Sequence, residues 1–257
     1  MRKRIIPLIL LSTLIISMIS CAANNTDTNV PDENNRRDTL ENPIVIADRS
    51  GTMLGEIDNR ANFTAIDEGV FYSVFTLKEN SYTGTAEYRF FSMKDKTDVF
   101  LGKMEDQGYE AGFARTEIDG TVYTLAVKGN PAGDAAIPLL LLAFSTANRT
   151  MKTYTISEHG FPYAAMTVSG GKLLIMNHEM TKEKTDKIYE FDPSTEKTKE
   201  VLKFLSSDNS LRSICGTDNG FYLLRLKLNK GGEDEIFIDQ YDEKYVKISD
   251  QSVGDIL

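Results

Sequence analysis

Residues 66–75, IDEGVFYSVF, decide the reading of this chain, because the same phrase returns three times: EIDGTVYTLA at 117–126, VSGGKLLIMN at 168–177 and TDNGFYLLRL at 217–226. Each is a polar turn ending in glycine, followed by an apolar run rich in Val, Leu, Ile, Phe and Tyr, the pattern of a strand entered from a tight turn. The glycines, Gly69, Gly120, Gly171 and Gly220, are spaced by 51, 51 and 49 residues. A short strand precedes each glycine. After the apolar run comes a polar loop, a second strand with a charged turn, and a third strand. The second strand and its turn read AEYRFFSMKDKT, PLLLLAFSTANRT, DKIYEFDPSTEKT and DEIFIDQYDEK, and the third strands read DVFLGKM, MKTYTI, EVLKFL and KYVKIS.

No window carries a sustained helical period, so the chain reads as all-β. Four strands repeating at about 50 residues match the blade of a β-propeller, in which each sheet buries its two faces against its neighbours. The strand after Gly69 agrees: Phe71 and Phe75 lie on one parity, Val70, Tyr72 and Val74 on the other, so both faces need cover. The same units are also compatible with an irregular sandwich or a β-solenoid.

On these units, residues 43–257 resemble the diverse bacterial β-propellers with divergent blades. The resemblance is to the blade plan alone. The Trp-Asp pair of WD-repeat blades is missing, there being no Trp, and so is the Ser-x-Asp-x-Gly-x-Thr-Trp box of sialidase-type blades. Ile44 to Ile57, IVIADRSGTMLGEI, reads as a hairpin without an inner pair, the kind that completes the last blade of a ring. The expected architecture is therefore four four-stranded blades plus a partial one. Asp250 to Leu257 reads as the lead into another inner strand. On that count the chain is a truncated frame, an incomplete ring that needs a partner, or a compact five-blade ring.

The first 21 residues, MRKRIIPLILLSTLIISMISC, give an address. Arg2, Lys3 and Arg4 form a basic start, Ile5 to Ile19 an apolar core of about 15 residues, shorter than the roughly 20 of a membrane-spanning helix. The stretch Met18-Ile19-Ser20-Cys21 resembles the lipobox of bacterial lipoprotein signals, with Met18 where leucine is usual. The resemblance implies cleavage before Cys21, whose thiol then carries a diacylglycerol in an anchor with palmitate-class acyl chains. It also implies residence on the extracytoplasmic face of the cell membrane. Residues 1–20 are then a signal peptide, and 21–42, rich in Asn, Thr, Asp and Glu, a disordered tether to the domain at 43–257.

Loss of residues 1–20 removes three of the 29 Lys and Arg and none of the 38 Asp and Glu, taking the formal charge from -9 to -12. Such a surface repels phosphate backbones, which argues against nucleic acid as a partner. With Cys21 lipidated, Cys215 is the one remaining thiol and no internal disulfide can form. It is expected to be a small buried strand residue.

Chemistry-bearing patterns are sparse. Ser169-Gly-Gly-Lys172 and Ser207-Asp208-Asn209 match two motifs of penicillin-interacting enzymes, but the first lies on a turn between strands rather than at a helix start, and no Lys-Thr-Gly follows. His159 and His178, the only histidines, fall in two separate loops, too few with one cysteine for a zinc site. Glu233-Asp234-Glu235 reads as a solvated loop tip. No catalytic residue, metal site or cofactor is expected.

Propeller geometry nevertheless says where a ligand would bind. Loops 78–86, 128–136, 177–187 and 228–235, with connectors 105–113, 157–164 and 205–212, should emerge on one face. There Tyr109, Glu110, Arg115, His159, Phe161, Tyr163 and Asp208 supply aromatic surface and charge. The expected function is that of a lipid-anchored, cell-surface binding or scaffolding module for a protein, peptide or glycan. The alternative is an extracytoplasmic propeller-type hydrolase or lyase, recognisable by carboxylates, or a histidine with a carboxylate, converging at the axis. A transporter's solute-binding subunit would instead show alternating strands and helices.

Overall fold

A computed structural model describes residues 44–47, 52–57, 62–66, 68–79, 81–108, 114–129, 137–160, 164–179, 181, 183–229 and 233–255. The signal, Cys21 and the tether lie outside them. Strands β1 (Ile44–Ala47) and β2 (Met53–Ile57) pair as the expected antiparallel hairpin. Blade 1 contains β3 (Asn62–Ile66), β4 (Gly69–Leu77), β5 (Thr83–Ser92) and β6 (Thr97–Gly108). Blade 2 contains β7 (Arg115–Ile118), β8 (Thr121–Val127), β9 (Leu139–Ser145) and β10 (Thr150–Ser157). Blade 3 contains β11 (Ala165–Ser169), β12 (Lys172–Glu179), β13 (Thr185–Asp192) and β14 (Lys197–Leu205). Blade 4 contains β15 (Asn209–Thr217), β16 (Gly220–Lys227), β17 (Glu235–Asp242) and β18 (Lys247–Asp255).

The fold is all-β and β-propeller-like. Each blade is a four-stranded antiparallel meander with its strands in sequence order. The repeat reaches the backbone: the turn between the last two strands of every blade places one residue in the left-handed region, Lys96, Arg149, Glu196 and Tyr245, at φ of 54°, 55°, 55° and 65°.

Alternation of side chains makes each blade two-faced, and in blades 1 to 3 both faces are covered. Phe71, Tyr88 and Phe90 of blade 1 pack with Val122, Leu140, Leu142 and Phe144 of blade 2. The opposite parity of blade 2, Tyr123, Leu125, Leu139 and Leu141, packs with Leu173, Ile175 and Phe191 of blade 3. Leu174, Met176 and Ile188 on the other side of blade 3 then meet Phe221, Leu223 and Tyr241 of blade 4. The hairpin supplies the cover for blade 1's remaining face, with Ile46 and Leu54 against Val70, Tyr72 and Phe91. Stacking of sheets in chain order separates this fold from a two-sheet sandwich.

The innermost strands of blades 3 and 4 touch directly. Gly216 makes this possible: a Cβ there would overlap the Val168 carbonyl, while its N–H donates to Thr167 Oγ1 at 2.9 Å.

Three expectations are corrected. Cys215 lies in strand β15 but is exposed, because its register partner Tyr222 belongs to the parity of blade 4 turned away from blade 3. Asp250 to Asp255 is no inner strand; it is the second half of β18, held in register with Glu235 to Asp239. The tip at 233–235 is partly built in, since Glu235 opens β17 and Asp234 accepts the Asn229 N–H at 3.1 Å.

Candidate functional site

Antiparallel alternation puts the connectors after β4, β8, β12 and β16 at the same end of the blades as the three blade-to-blade connectors. Backbone bonds tie the two sets together: Gly129 N–H donates to the Asp106 carbonyl at 2.8 Å, Ser206 N–H to Lys184 at 2.9 Å, and Leu228 N–H to Asp208 at 3.0 Å. Most buried polar side chains, among them Gln107, Ser157, Asn177, Glu179, Thr185, Asp186 and Arg225, sit at strand termini on this end.

Charged side chains stand at every blade junction there. Between blades 1 and 2, Arg115 donates from Nη1 to the Asn62 carbonyl at 2.5 Å and from Nη2 to Ser73 Oγ at 2.6 Å. Its guanidinium carbon lies 5.2 Å from the centre of the Phe71 ring. Burial lowers the pKa of Arg115 to about 10.

Between blades 2 and 3, the Glu179 carboxylate accepts Ser157 Oγ at 2.8 Å and the Tyr189 hydroxyl at 2.5 Å, and pairs with Lys187 at 2.9 Å. Burial alone would raise its pKa, but these three donors outweigh it and hold the carboxyl below its ordinary value. Burial and the neighbouring carboxylate push the Tyr189 phenol up to about 12.

Between blades 3 and 4, Asp186 is 2% exposed. Its Oδ1 lies 2.9 Å from His178 Nδ1 and accepts Ser206 Oγ at 2.9 Å, and its Oδ2 accepts the Leu211 N–H at 2.7 Å. Here too burial, which favours the neutral acid, is outweighed, chiefly by His178 and the Leu211 amide, so the carboxyl stays below its usual range. Asp186 thereby fixes the orientation of the His178 ring through Nδ1.

The sequence-predicted residues distribute unevenly. Arg115 is at the loop-bearing end but turned into the blade 1–blade 2 junction. His159 is exposed and works through its backbone: its N–H donates to Ser157 Oγ at 3.1 Å and its carbonyl accepts Asn177 Nδ2 at 3.1 Å. Asp208 is exposed in the β14–β15 turn, its carboxylate accepting Ser207 Oγ at 3.0 Å. Tyr109, Glu110, Phe161 and Tyr163 lie outside the described residues. The second histidine is misplaced by the sequence reading, since His178 belongs to strand β12 and not to a loop.

Neither penicillin-type motif is assembled. Ser169 Oγ donates to the Gly220 carbonyl at 2.8 Å while the Lys172 ammonium pairs with Glu190 at 3.1 Å. Asn209 Oδ1 accepts from Arg225 at 2.6 Å. Among the described residues no three His, Cys, Asp or Glu side chains are grouped to hold a metal ion. The His178–Asp186 pair, Glu179 and the Arg225–Asp239 pair escaped the sequence reading. The available signal was a charge inside an apolar strand, as in FYLLRL and EIFIDQY, which requires a buried partner.

A cleft of about 260 Å³ opens between blades 1 and 2 further out, with Met104, Leu140 and Met151 among its walls and Lys103, Glu105 and Lys128 around it.

No protein-family model and no curated protein matches the chain. Solved structures that it resembles include two variants of the Synechocystis apocarotenoid oxygenase. One has a TM-score of 0.49 at 9% identity, over 82% of this chain and 55% of that one. The second has a TM-score of 0.47 at 9% identity, over 80% of this chain and 54% of the other. The chain thus spans about half the length of those structures.

Proposed function

We propose that this chain is a lipoprotein held on the extracytoplasmic face of the cell membrane through Cys21, and that its β-propeller-like domain binds or scaffolds a protein, peptide or glycan. The observation that carries the address is the sequence MRKRIIPLILLSTLIISMISC, a basic start, a short apolar core and a cysteine followed by a polar stretch. Support for binding is the topology, which brings seven connectors to one end of the stacked sheets, and connectors between sheet strands are where proteins commonly carry recognition. Labelling cells with an alkyne-tagged palmitate analogue tests the anchor. Wild-type chain should take up label and Cys21→Ser should not; equal labelling would sink the lipoprotein reading. For the binding role, the domain is applied to glycan and peptide arrays. Saturable binding weakened by changes in the connectors sustains it, and binding indifferent to them does not.

The His178–Asp186 pair favours a second reading, a propeller-type hydrolase or lyase acting on polysaccharide or peptide. An imidazole oriented by a buried carboxylate is the usual arrangement of a general base. Turnover of a polysaccharide or peptide substrate that disappears in His178→Gln while the protein stays folded would support it. Turnover unchanged in that variant would remove it.

A further inference from the structure

Arg115 stands apart from the other buried cations. Arg225 has Asp239, Lys187 has Glu179 and Glu200, but no ion pair links Arg115 to a carboxylate among the described residues. Both its bonded acceptors, the Asn62 carbonyl and the Ser73 hydroxyl, are neutral. Its Nε is buried with no hydrogen-bond partner, the one such side-chain atom among the described residues. A guanidinium removed from water without a counter-charge is costly, and the cost is tolerated where a ligand brings the missing charge. Its position suits that role: it opens the inner strand β7 at the loop-bearing end, and the residue as a whole is intermediate in exposure.

The chemistry of the unsatisfied group selects the ligand. Nε–H and the neighbouring Nη–H form one edge of the guanidinium fork, and a planar carboxylate meets such an edge with two parallel hydrogen bonds. The bonds to Asn62 and Ser73 and the Phe71 ring hold the plane in place beforehand, so little ordering is needed on binding. The rest of the surface, at a formal charge of -9 for the whole chain, repels anions, which makes a fixed cation at this point selective.

We propose that Arg115 is the anchor of an anion-binding site at the mouth of the blade 1–blade 2 junction, taking a carboxylate group of the bound ligand. This rests on the binding-module reading and names the chemistry of what such a module recognises: an acidic sugar, an acidic side chain or a peptide C-terminus.

The test uses the mature chain from residue 21 with Cys21→Ser, so its result is independent of whether the anchor is lipidated. Arginine Nε–H resonances are followed by nuclear magnetic resonance during titration with sodium acetate, and separately with sodium sulfate, at ionic strength held constant with chloride. The Arg115 resonance is identified by its loss in Arg115→Lys. The expected result is a saturable shift of that resonance with acetate, smaller with sulfate, together with an Arg115→Met variant whose Tm lies within about 3 °C of the parent. Absence of a saturable shift with either anion overturns the proposal and makes Arg115 an internal strut. Should Arg115→Met fail to fold, the wild-type titration still decides.

Discussion

Arg225 and Asp239 meet as a two-point pair on blade 4, Nε 2.7 Å from Oδ2 and Nη2 3.0 Å from Oδ1, with Asp239 only 1% exposed. The same carboxylate pairs with Lys247 at 3.0 Å, and Arg225 also donates to Asn209 Oδ1 at 2.6 Å. One buried anion therefore holds two cations from two strands on the face turned to blade 3.

The arrangement predicts an asymmetric response. Asp239→Asn leaves two cations around a neutral amide and should cost about 3–5 kcal/mol, the usual penalty for breaking a buried pair. Arg225→Met leaves Asp239 still paired with Lys247 and should cost less. Urea unfolding of both variants measures this; equal losses would mean that Lys247 does not compensate the carboxylate.

Acid should loosen the junctions on either side of blade 3 first. Glu179 and Asp186 have folded pKa values below their ordinary ones, so their stabilisation is present above the ordinary carboxylate range, near 4, and is lost as pH falls through the folded values. Melting temperature between about pH 7 and pH 2 should fall most steeply below about 4. In Asp186→Asn the fall should be shallower, because one proton fewer is taken up on unfolding. An unchanged slope would show that Asp186 does not couple protonation to folding.

Gly216→Ala should strain the seam between β11 and β15. The added methyl overlaps the backbone at Val168, not a flexible side chain, so the strands must separate. Overpacking of this kind costs about 1–3 kcal/mol. Denaturant unfolding gives the loss, and hydrogen exchange gives its place. Slower or unchanged exchange at the backbone N–H of position 216, which in the parent is bonded to Thr167 Oγ1, would contradict it.

The blade plan was legible because it is written as period and parity. Two faces of alternating apolar residues in β4, β8 and β12, returning every 50 or so residues, determine sheets stacked in chain order. The polar interior was harder to read because its partners are remote. Asp186 meets Leu211 and Ser206, and Arg115 meets Asn62 and Ser73, through juxtapositions that only the stacked blades create. The blade plan places Arg115 and Asp208 at the loop-bearing end, but does not tell that one turns inward and the other outward. Cys215 follows the same rule: a half-apolar stretch predicts burial, and only the stacked blades show which of blade 4's faces is covered.

Alkali should expose a third set of side chains. Burial drives the phenols of Tyr72 and Tyr88 well above their ordinary value, and burial with the Glu179 carboxylate pushes Tyr189 up to about 12. A group whose folded pKa is raised favours the folded state while it is neutral, so stability is lost as pH rises above the unfolded value, near 10. Each such tyrosine steepens the decline by about 1.4 kcal/mol per pH unit until its folded pKa is reached. Tyr88→Phe offers the cleanest check. It removes a hydroxyl bonded to Gln107 Oε1 at 2.6 Å, which should cost about 1–2 kcal/mol at neutral pH. It also removes one ionisation from the alkaline limb. The difference in stability between wild type and variant should therefore narrow as pH rises past about 10, read by urea unfolding at each pH. A constant difference would mean that Tyr88 ionises alike in both states and is not shielded by the blade 1–blade 2 packing.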